Sequence, residues 1–408
     1  MEAEAYRGYC LQSVAAAYDV VLITGGEPTW EVPYLRDCMV VSDPTDQAAL
    51  SAAGRTLAER YELAGVFTWT EWYLVPVARL ARQLGLPTTM PEAMQACRNK
   101  ATSRALFARH GVPSAASASV RTLAEAEAAA QRIGYPLVLK PAAGAASIGV
   151  IRADTPEQLT AAFAFADQAS GLGREPTSVL VEEYLDGPEV SVECITYRGE
   201  TTVVAVTRKT VSAPPFFEEL VHCVDAADPL LGVVAPVARA AIRSLGITDG
   251  ASHVEMRLVG GRPRLVEVNG RIAGDMIGHL VHLATGIDLP RAAADIACGQ
   301  APDVTATRSS AAAIKLLYPD TSGTLLRLRL DGANPSWLER AHFQHQVGDH
   351  LLLPADGGNM WTARIGYLIT TAPTADLAQA RAEQTARRIQ FHVEPRPVDE
   401  PAPAGCQV

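Results

Sequence analysis

The chain has 408 residues, 48% of them apolar and 20% charged, with a formal net charge of −10. This composition excludes a disordered chain, and the length excludes one ordinary core: at about 150 residues per domain it predicts two or three. The acidic balance excludes non-specific binding to nucleic acid or anionic membranes, so any phosphate must be held by local groups.

In chain order, "DVVLITGG" (Asp19–Gly26) is an apolar run closed by glycines, as expected of a buried parallel strand. "LAGVFTW" (Leu63–Trp69) predicts a second strand, and "LVPVARLARQLGLP" (Leu74–Pro87) a helix with a glycine stop. "NKATSRALFARHGVP" (Asn99–Pro113) and "TLAEAEAAAQRIGYP" (Thr122–Pro136) predict two further helices. "PLVLKPAAGAASIGVIRA" (Pro136–Ala153) reads as strand, small-residue loop, strand. The segment Ser178–Thr210 alternates apolar and polar residues around turns and predicts antiparallel strands. Further on, Glu255–Asn269 is a hairpin about Gly260 and Gly261. "AAAIKLLYP" (Ala311–Pro319) and "ARIGYLITTA" (Ala363–Ala372) predict strands, and Thr374–Phe391 a helix. The proline-rich end is expected to be disordered.

Seven scattered cysteines, with no Cys-x-x-Cys pair, predict reduced thiols in a cytoplasmic protein. No basic segment followed by a long apolar run opens the chain, so no leader is expected. The phosphate loop of the P-loop enzymes, His-Glu-x-x-His and Gly-x-Ser-x-Gly are all absent, and "ITGGEPTW" does not match the dinucleotide fingerprint.

In the hairpin, Glu255, Arg257 and Val259 share one strand face, and Leu265, Glu267 and Asn269 share another. A register pairing Glu255 with Glu267, and Arg257 with Leu265, sets the two carboxylates side by side. Like charges so placed repel by ~0.2–1 kcal/mol, which a divalent cation removes. Two carboxylates and an amide oxygen are hard donors suited to Mg²⁺ or Mn²⁺. A solvated polar face is the alternative. Lys140 ends an apolar run beside a loop of Gly, Ala and Ser, where backbone N–H groups can approach an anion. Lys100, taken alone, reads as a helix-surface charge. "VLVEEYLDGPEVSVE" offers Glu182 and Glu183, then Tyr184 and Leu185, then Glu189, either as a purine-and-ribose connector or as an ordinary strand and turn.

The order of these pieces resembles the ATP-grasp superfamily of carboxylate–amine ligases over roughly residues 91–300. "SAAAIKLLYPDTSGTL" is similar to its biotin-carboxylase-like branch, and "PPFFEELVH" and "EVNGRIAGDMI" most resemble L-amino acid ligases that make dipeptides. The resemblance implies an α/β (α+β) ATP-grasp fold: an N-terminal Rossmann-like α/β domain (1–92), a central two-lobed ATP-grasp domain (93–305) with a mobile lid at about 136–205, a C-terminal α+β region (306–395) and a disordered tail (396–408). It implies that Lys100 and Lys140 contact ATP phosphates. The loop 142–149, with Ser147, Ile148 and Gly149, closes over the β- and γ-phosphates. Glu183 and Leu185 hold adenine through backbone atoms, Glu182 lines the hinge and Glu189 binds ribose. Glu255, Glu267 and Asn269 ligate Mg²⁺ or Mn²⁺. Arg271 and Lys140 are the catalytic groups; Arg271, Glu219 and His222 face the substrates. Alanines in the phosphate loop, Asn99 and Ala273 depart from the family pattern.

The implied activity is ATP-dependent joining of a carboxylate and an amine, through an acyl phosphate, to an amide or dipeptide, with release of ADP and phosphate. The substrates are small carboxylates and amines, namely amino acids, with no nucleic acid or membrane partner; a cytoplasmic homodimer is expected. Alternatives are a biotin-carboxylase-like or carbamoyl-phosphate-type ligase using bicarbonate, against which the lack of Ala-Met-Lys-Met counts, and a non-catalytic nucleotide-binding regulator.

Overall fold

A computed structural model describes residues 3–144, 147–172 and 177–395; the tail 396–408 and the loop residues Ala145 and Ala146 lie outside them. Most of the site stands on one eight-stranded sheet. Its order is Arg262–Asn269, Gly250–Val259, Glu189–Tyr197, Glu200–Val211, Glu219–Asp225, Ala311–Leu317, Gly366–Ala372 and Leu338–Phe343. The last three strands come from the region expected to form a separate C-terminal part, and they extend the same sheet.

Alternation along these strands divides their residues between core and cleft. Val190, Val192, Val254, Met256 and Leu258 point to one side, into a core shared with Val234, Ala238 and Ile242 of helix Leu231–Leu245. Glu189, Glu193, His253, Glu255 and Arg257, the intervening residues, take the other side.

A smaller antiparallel sheet orders Ser117–Val120, Val179–Glu183, Leu137–Pro141 and Ile151–Ala153. Helices Leu123–Ile133 and Pro156–Leu172 cover it through Ala126, Ala130, Leu159, Ala162 and Ala166. This lobe spans 117–183, so the expected lid range of 136–205 straddles both sheets. The crossing between them is tight: a Cβ on Gly187 would lie 2.2 Å from the Leu258 carbonyl oxygen, and only glycine passes there. At the N-terminus, Val20–Thr24 pairs in parallel with Leu35–Val40 beside helix Gln47–Arg60. A three-stranded sheet, His350–Leu351, Gly323–Leu330 and Ile389–Pro395, lies at the other end.

Three expectations need correction. Leu63–Trp69 forms no strand; Gly65 runs against the backbone of Ala297 and Cys298, where a Cβ would lie 2.4 Å from the Ala297 oxygen, so this segment packs on the end of a helix instead of a sheet edge. The helix expected to reach Phe391 ends at Ala386, and Ile389–Pro395 is a strand whose Ile389 and Val393 enter the C-terminal core. In the hairpin Glu255 does pair with Glu267, but a bulge follows, and Arg257 faces Arg264 instead of Leu265. The extra residue turns fully buried Leu265 into the core beside Met256. Gly260 and Gly261, with φ of 56° and 78°, make the two-residue turn. Among the described residues no helix is long and apolar enough to cross a membrane.

Candidate active site

Between the two sheets lies a cleft of about 430 Å³. Of the residues singled out from the sequence, Lys100, Lys140, Ser147, Ile148, Glu182, Glu183, Leu185, Glu189, Glu219, His222, Glu255, Glu267, Asn269 and Arg271 all line it. Gly149 does not. With φ of 76° and no room for a Cβ against Ala169, it is a packing glycine where the loop meets helix Pro156–Leu172.

At one end of the cleft, Lys100 and Lys140 are both buried. Asn99 caps the helix Lys100–Arg109, accepting from Thr102 N, and that sets Lys100 and Arg104 one turn apart on one face. Lys100 Nζ lies 2.9 Å from Glu267 Oε1 and donates to the Gly144 carbonyl at 3.1 Å. Lys140 Nζ lies 2.6 Å from Glu182 Oε2, and Arg104 Nε donates to the other oxygen at 2.6 Å. Glu182 is therefore a buried anchor holding two cations in place, more than a hinge-lining residue. Burial pushes its carboxyl up, but Arg104 and Lys140 outweigh burial and hold it below the ordinary 4.5. Burial in turn lowers the Lys140 ammonium, more than Glu182 raises it.

That depression has a consequence in acid. A carboxyl lowered in the folded state stabilises it fully above about pH 4.5, and the contribution is lost as pH falls through the lower folded value. Glu182→Gln is expected to melt at lower temperature near neutrality, since breaking a buried pair costs about 3–5 kcal/mol. Its melting temperature should then fall less than the parent's between about pH 5 and pH 3. Parallel acid slopes for the two proteins would refute the assignment.

Where the two lobes join, the Leu185 N–H has no hydrogen-bond partner among the described residues, although Leu185 is buried. The Glu183 side chain turns away to a two-point pair with Arg264 at 2.6 and 2.7 Å, leaving its backbone at the cleft. Glu189 accepts from Arg257 Nε at 3.1 Å. The smaller lobe is tied down here: Arg152 N donates to Pro215 O at 3.0 Å, the Arg152 guanidinium lies 4.1 Å from the Tyr184 ring centre, and Tyr184 stacks on Phe217.

The cleft floor is a charge lattice that sequence reading saw only in part. Cross-strand pairs set His253 opposite Glu193, and Arg257 opposite Glu189. Lys209 Nζ donates to Glu219 Oε1 at 2.8 Å and Glu255 Oε1 at 2.9 Å, and lies 3.7 Å from Glu189 Oε1. Burial alone would lower the Lys209 ammonium, but the three carboxylates raise it well above its usual value. His253 Nδ1 lies 2.9 Å from a Glu193 oxygen, and Nε2 lies 3.0 Å from Glu255 Oε1. Burial opposes its charge, yet Glu193 and Glu255 raise its pKa to about 9. Arg104, one turn after Lys100, and His253, two residues before Glu255, were open to discovery by periodicity. Lys209 carried no local signal.

A divalent cation would have to be held by Glu255, Glu267 and Asn269, since among the described residues no three or more His, Cys, Asp or Glu side chains are grouped to hold one. Glu255 and Glu267 each use Oε1 on the cations above, while neither Oε2 makes a hydrogen bond among the described residues. Asn269 has its amide between Glu267 and Glu71; with the amide turned so that its nitrogen faces them, that nitrogen donates to Glu267 Oε1 at 3.1 Å and to Glu71 Oε2 at 3.3 Å. Turning that amide over would present its oxygen. Glu71, buried on the short turn Glu71–Tyr73, was not foreseen. It also holds Arg271, whose Nε lies 2.7 Å from Glu71 Oε2. Arg271 is thus oriented by a residue two hundred positions upstream.

At the last edge, Asp275 and Met276 both have left-handed backbone, φ 46° and 61°, which side-chain-bearing residues rarely adopt. This turns Asp275 onto fully buried Arg364, 2.6 Å away, while Met276 enters the core. Burial pushes the Asp275 carboxyl up, but Arg364 and His222 pull it well below the usual carboxylate range. His222 lies between Asp275 Oδ2 (3.6 Å) and Glu219 Oε2 (3.7 Å). Glu219 Oε2 and His222 Nδ1 are the buried cleft-lining atoms without a hydrogen-bond partner among the described residues.

Comparison with known families agrees with this geometry. Residues 14–88 match the ATP-grasp N-terminal domain, 133–279 the ATP-grasp domain and 315–394 the L-amino acid ligase C-terminal domain 2. Human carnosine synthase 1 is 27% identical over 327 residues, covering 73% of this chain and 38% of that protein. The alanine–anticapsin ligase of Bacillus amyloliquefaciens is 29% identical over 263 residues, covering 59% of this chain and 55% of that protein. The chain thus spans about half or less of these two curated relatives. The crystal structure of an L-amino acid ligase from Bacillus licheniformis superposes with a TM-score of 0.78 at 22% identity, covering 95% of both chains, which shows a shared fold. The chain thus carries an ATP-grasp N-terminal domain, an ATP-grasp domain and an L-amino acid ligase C-terminal domain in succession.

Proposed function

We propose that the protein is an ATP-dependent carbon–nitrogen ligase that joins an amino acid carboxylate to the amine of a second substrate, releasing ADP and phosphate. The observation that carries this reading is the convergence of Lys100, Lys140, Glu255, Glu267, Asn269 and Arg271 on one cleft. A carboxylate is a poor acyl donor because its oxide leaves badly. Its oxygen attacks the γ-phosphorus, the bond to ADP breaks, and the acyl phosphate formed carries a good leaving group. The amine nitrogen then attacks the acyl carbon, phosphate departs, and the nitrogen gives up a proton.

The residues serve these steps by position and charge. Lys140 and Lys100, held by Glu182 and Glu267, face the phosphates. Leu185 N–H and the Glu183 backbone meet the adenine edge, and Glu189 the ribose. Glu255, Glu267 and Asn269 would hold Mg²⁺ or Mn²⁺, which supplies neutralisation of the phosphate oxygens when bound. Arg271 offers its planar fork to the acyl oxygen and phosphate. Glu219 Oε2 and His222 Nδ1, lacking partners, are the acceptors open to the amine proton. The lobe 117–183 moving as a lid, an assembly of two copies and a cytoplasmic location belong to the same proposal.

The test is phosphate release from ATP and Mg²⁺ with pairs of amino acids, with mass detection of the amide. Amide together with stoichiometric ADP supports the reading. Phosphate release driven by bicarbonate alone would favour the bicarbonate-using alternative, and nucleotide binding without turnover would favour a regulator.

A further inference from the structure

What one substrate looks like follows from the cleft end that carries Arg271 and Asp275; this rests on the ligase reading above. Segments distant in sequence build that end. Tyr6 comes from helix Glu4–Ala15, Trp72 from the turn Glu71–Tyr73, Ile277 from the start of helix Ile277–Thr285, and Met360 and Trp361 from the one-turn helix Met360–Ala363.

The arginines at this end are already paired, and Glu219 Oε2 and His222 Nδ1 are its polar atoms without a partner among the described residues. Arg271 is 2.7 Å from Glu71, and Asp275 is 2.6 Å from Arg364. Glu219 Oε1 holds Lys209 at 2.8 Å. A charged substrate side chain beside Arg271 or Asp275 would have to displace one member of a buried pair, which is costly. Of the apolar side chains named here, Trp361 is the exposed one. Trp361 is 37% exposed although it lines the cleft, whereas its edge-to-face neighbour Tyr6, with ring centres 5.9 Å apart, is buried.

Trp361 is also held in place. Asn359 accepts from Trp361 N at 2.8 Å, and Thr362 Oγ1 accepts from Asn359 N to complete a capping box. The Trp361 carbonyl accepts from Gln344 Nε2 at 3.3 Å and lies 3.1 Å from His345 Nε2. Gln344 in turn accepts from the Tyr6 hydroxyl at 2.7 Å. A large apolar side chain on a fixed backbone, facing a ligand cavity, is a preorganised contact surface.

We infer that one of the two joined substrates is an amino acid with a bulky apolar side chain, aromatic or long aliphatic, which packs on Trp361 and Met360. Small or charged amino acids leave Trp361 wet or break an ion pair.

The experiment uses the full chain, ATP and Mg²⁺ with a matrix of amino acids, reading kcat/KM from phosphate release and the product by mass. Phenylalanine, tryptophan, leucine or methionine is expected in the favoured product, and its kcat/KM should exceed that of alanine, aspartate or lysine at the same position by roughly tenfold to a hundredfold. Trp361→Ala should cut the ratio of bulky apolar substrate to alanine by roughly tenfold or more, and Trp361→Phe should retain most of it. Met360→Ala tests the same wall independently. Amide formation with no preference for bulky apolar substrates, or an unchanged ratio in Trp361→Ala, overturns this inference and leaves the ligase reading standing. Absence of amide from every pair overturns both.

Discussion

Replacing Glu267 with glutamine is expected to lower ATP turnover by at least about a hundredfold, since even residues behind a metal ligand commonly contribute 10–100-fold. The substitution keeps volume and shape but removes the charge that faces both the proposed cation and Lys100, 2.9 Å away. Fold should survive, because Glu267 stands at the cleft surface of its strand while Leu265 and Val268 fill the core. Phosphate release measures the turnover, and binding of Mn²⁺ to the protein–ADP complex, followed by its resonance signal, reads the cation separately. Near-parental ADP formation by this variant would remove Glu267 from the metal set.

Arg271→Ala is expected to lower amide formation by about 10²–10³-fold, the loss seen when one donor to a developing oxyanion is removed. The ion pair with Glu71 complicates the readout, because a buried carboxylate left without its partner destabilises the fold by about 3–5 kcal/mol. The double variant Glu71→Gln, Arg271→Ala separates the effects. It should recover much of the melting temperature lost by Arg271→Ala and none of the rate. Recovery of rate along with stability would make Arg271 a structural residue only.

The hairpin shows how far sequence reading reaches. Strand alternation placed Glu255 and Glu267 on one face, and their direct pairing is present. Alternation failed two residues later, because a bulge shifts the register and no local residue type announces it. Lys100 and Lys140 were legible as a pair through the order of motifs, and Arg104 was implicit in helical spacing. Gly149 stands outside the cleft lining, and its small size makes room for Ala169. Lys100 and Lys140 both line the cleft, while Glu182, expected at the hinge, makes 2.6 Å contacts with Lys140 and Arg104.

The sequence by itself determined which side chains alternate onto the cleft face and which helices and turns hold them. Both follow from backbone geometry acting over two to four residues. Only the tertiary structure decided the partners: Glu71 for Arg271, Arg364 for Asp275, Lys209 among three carboxylates, and Trp361 beside Tyr6. Tyr6 and Gln344 meet across 338 positions. Such contacts are set by how sheets and helices pack, and spacing along the chain does not encode them.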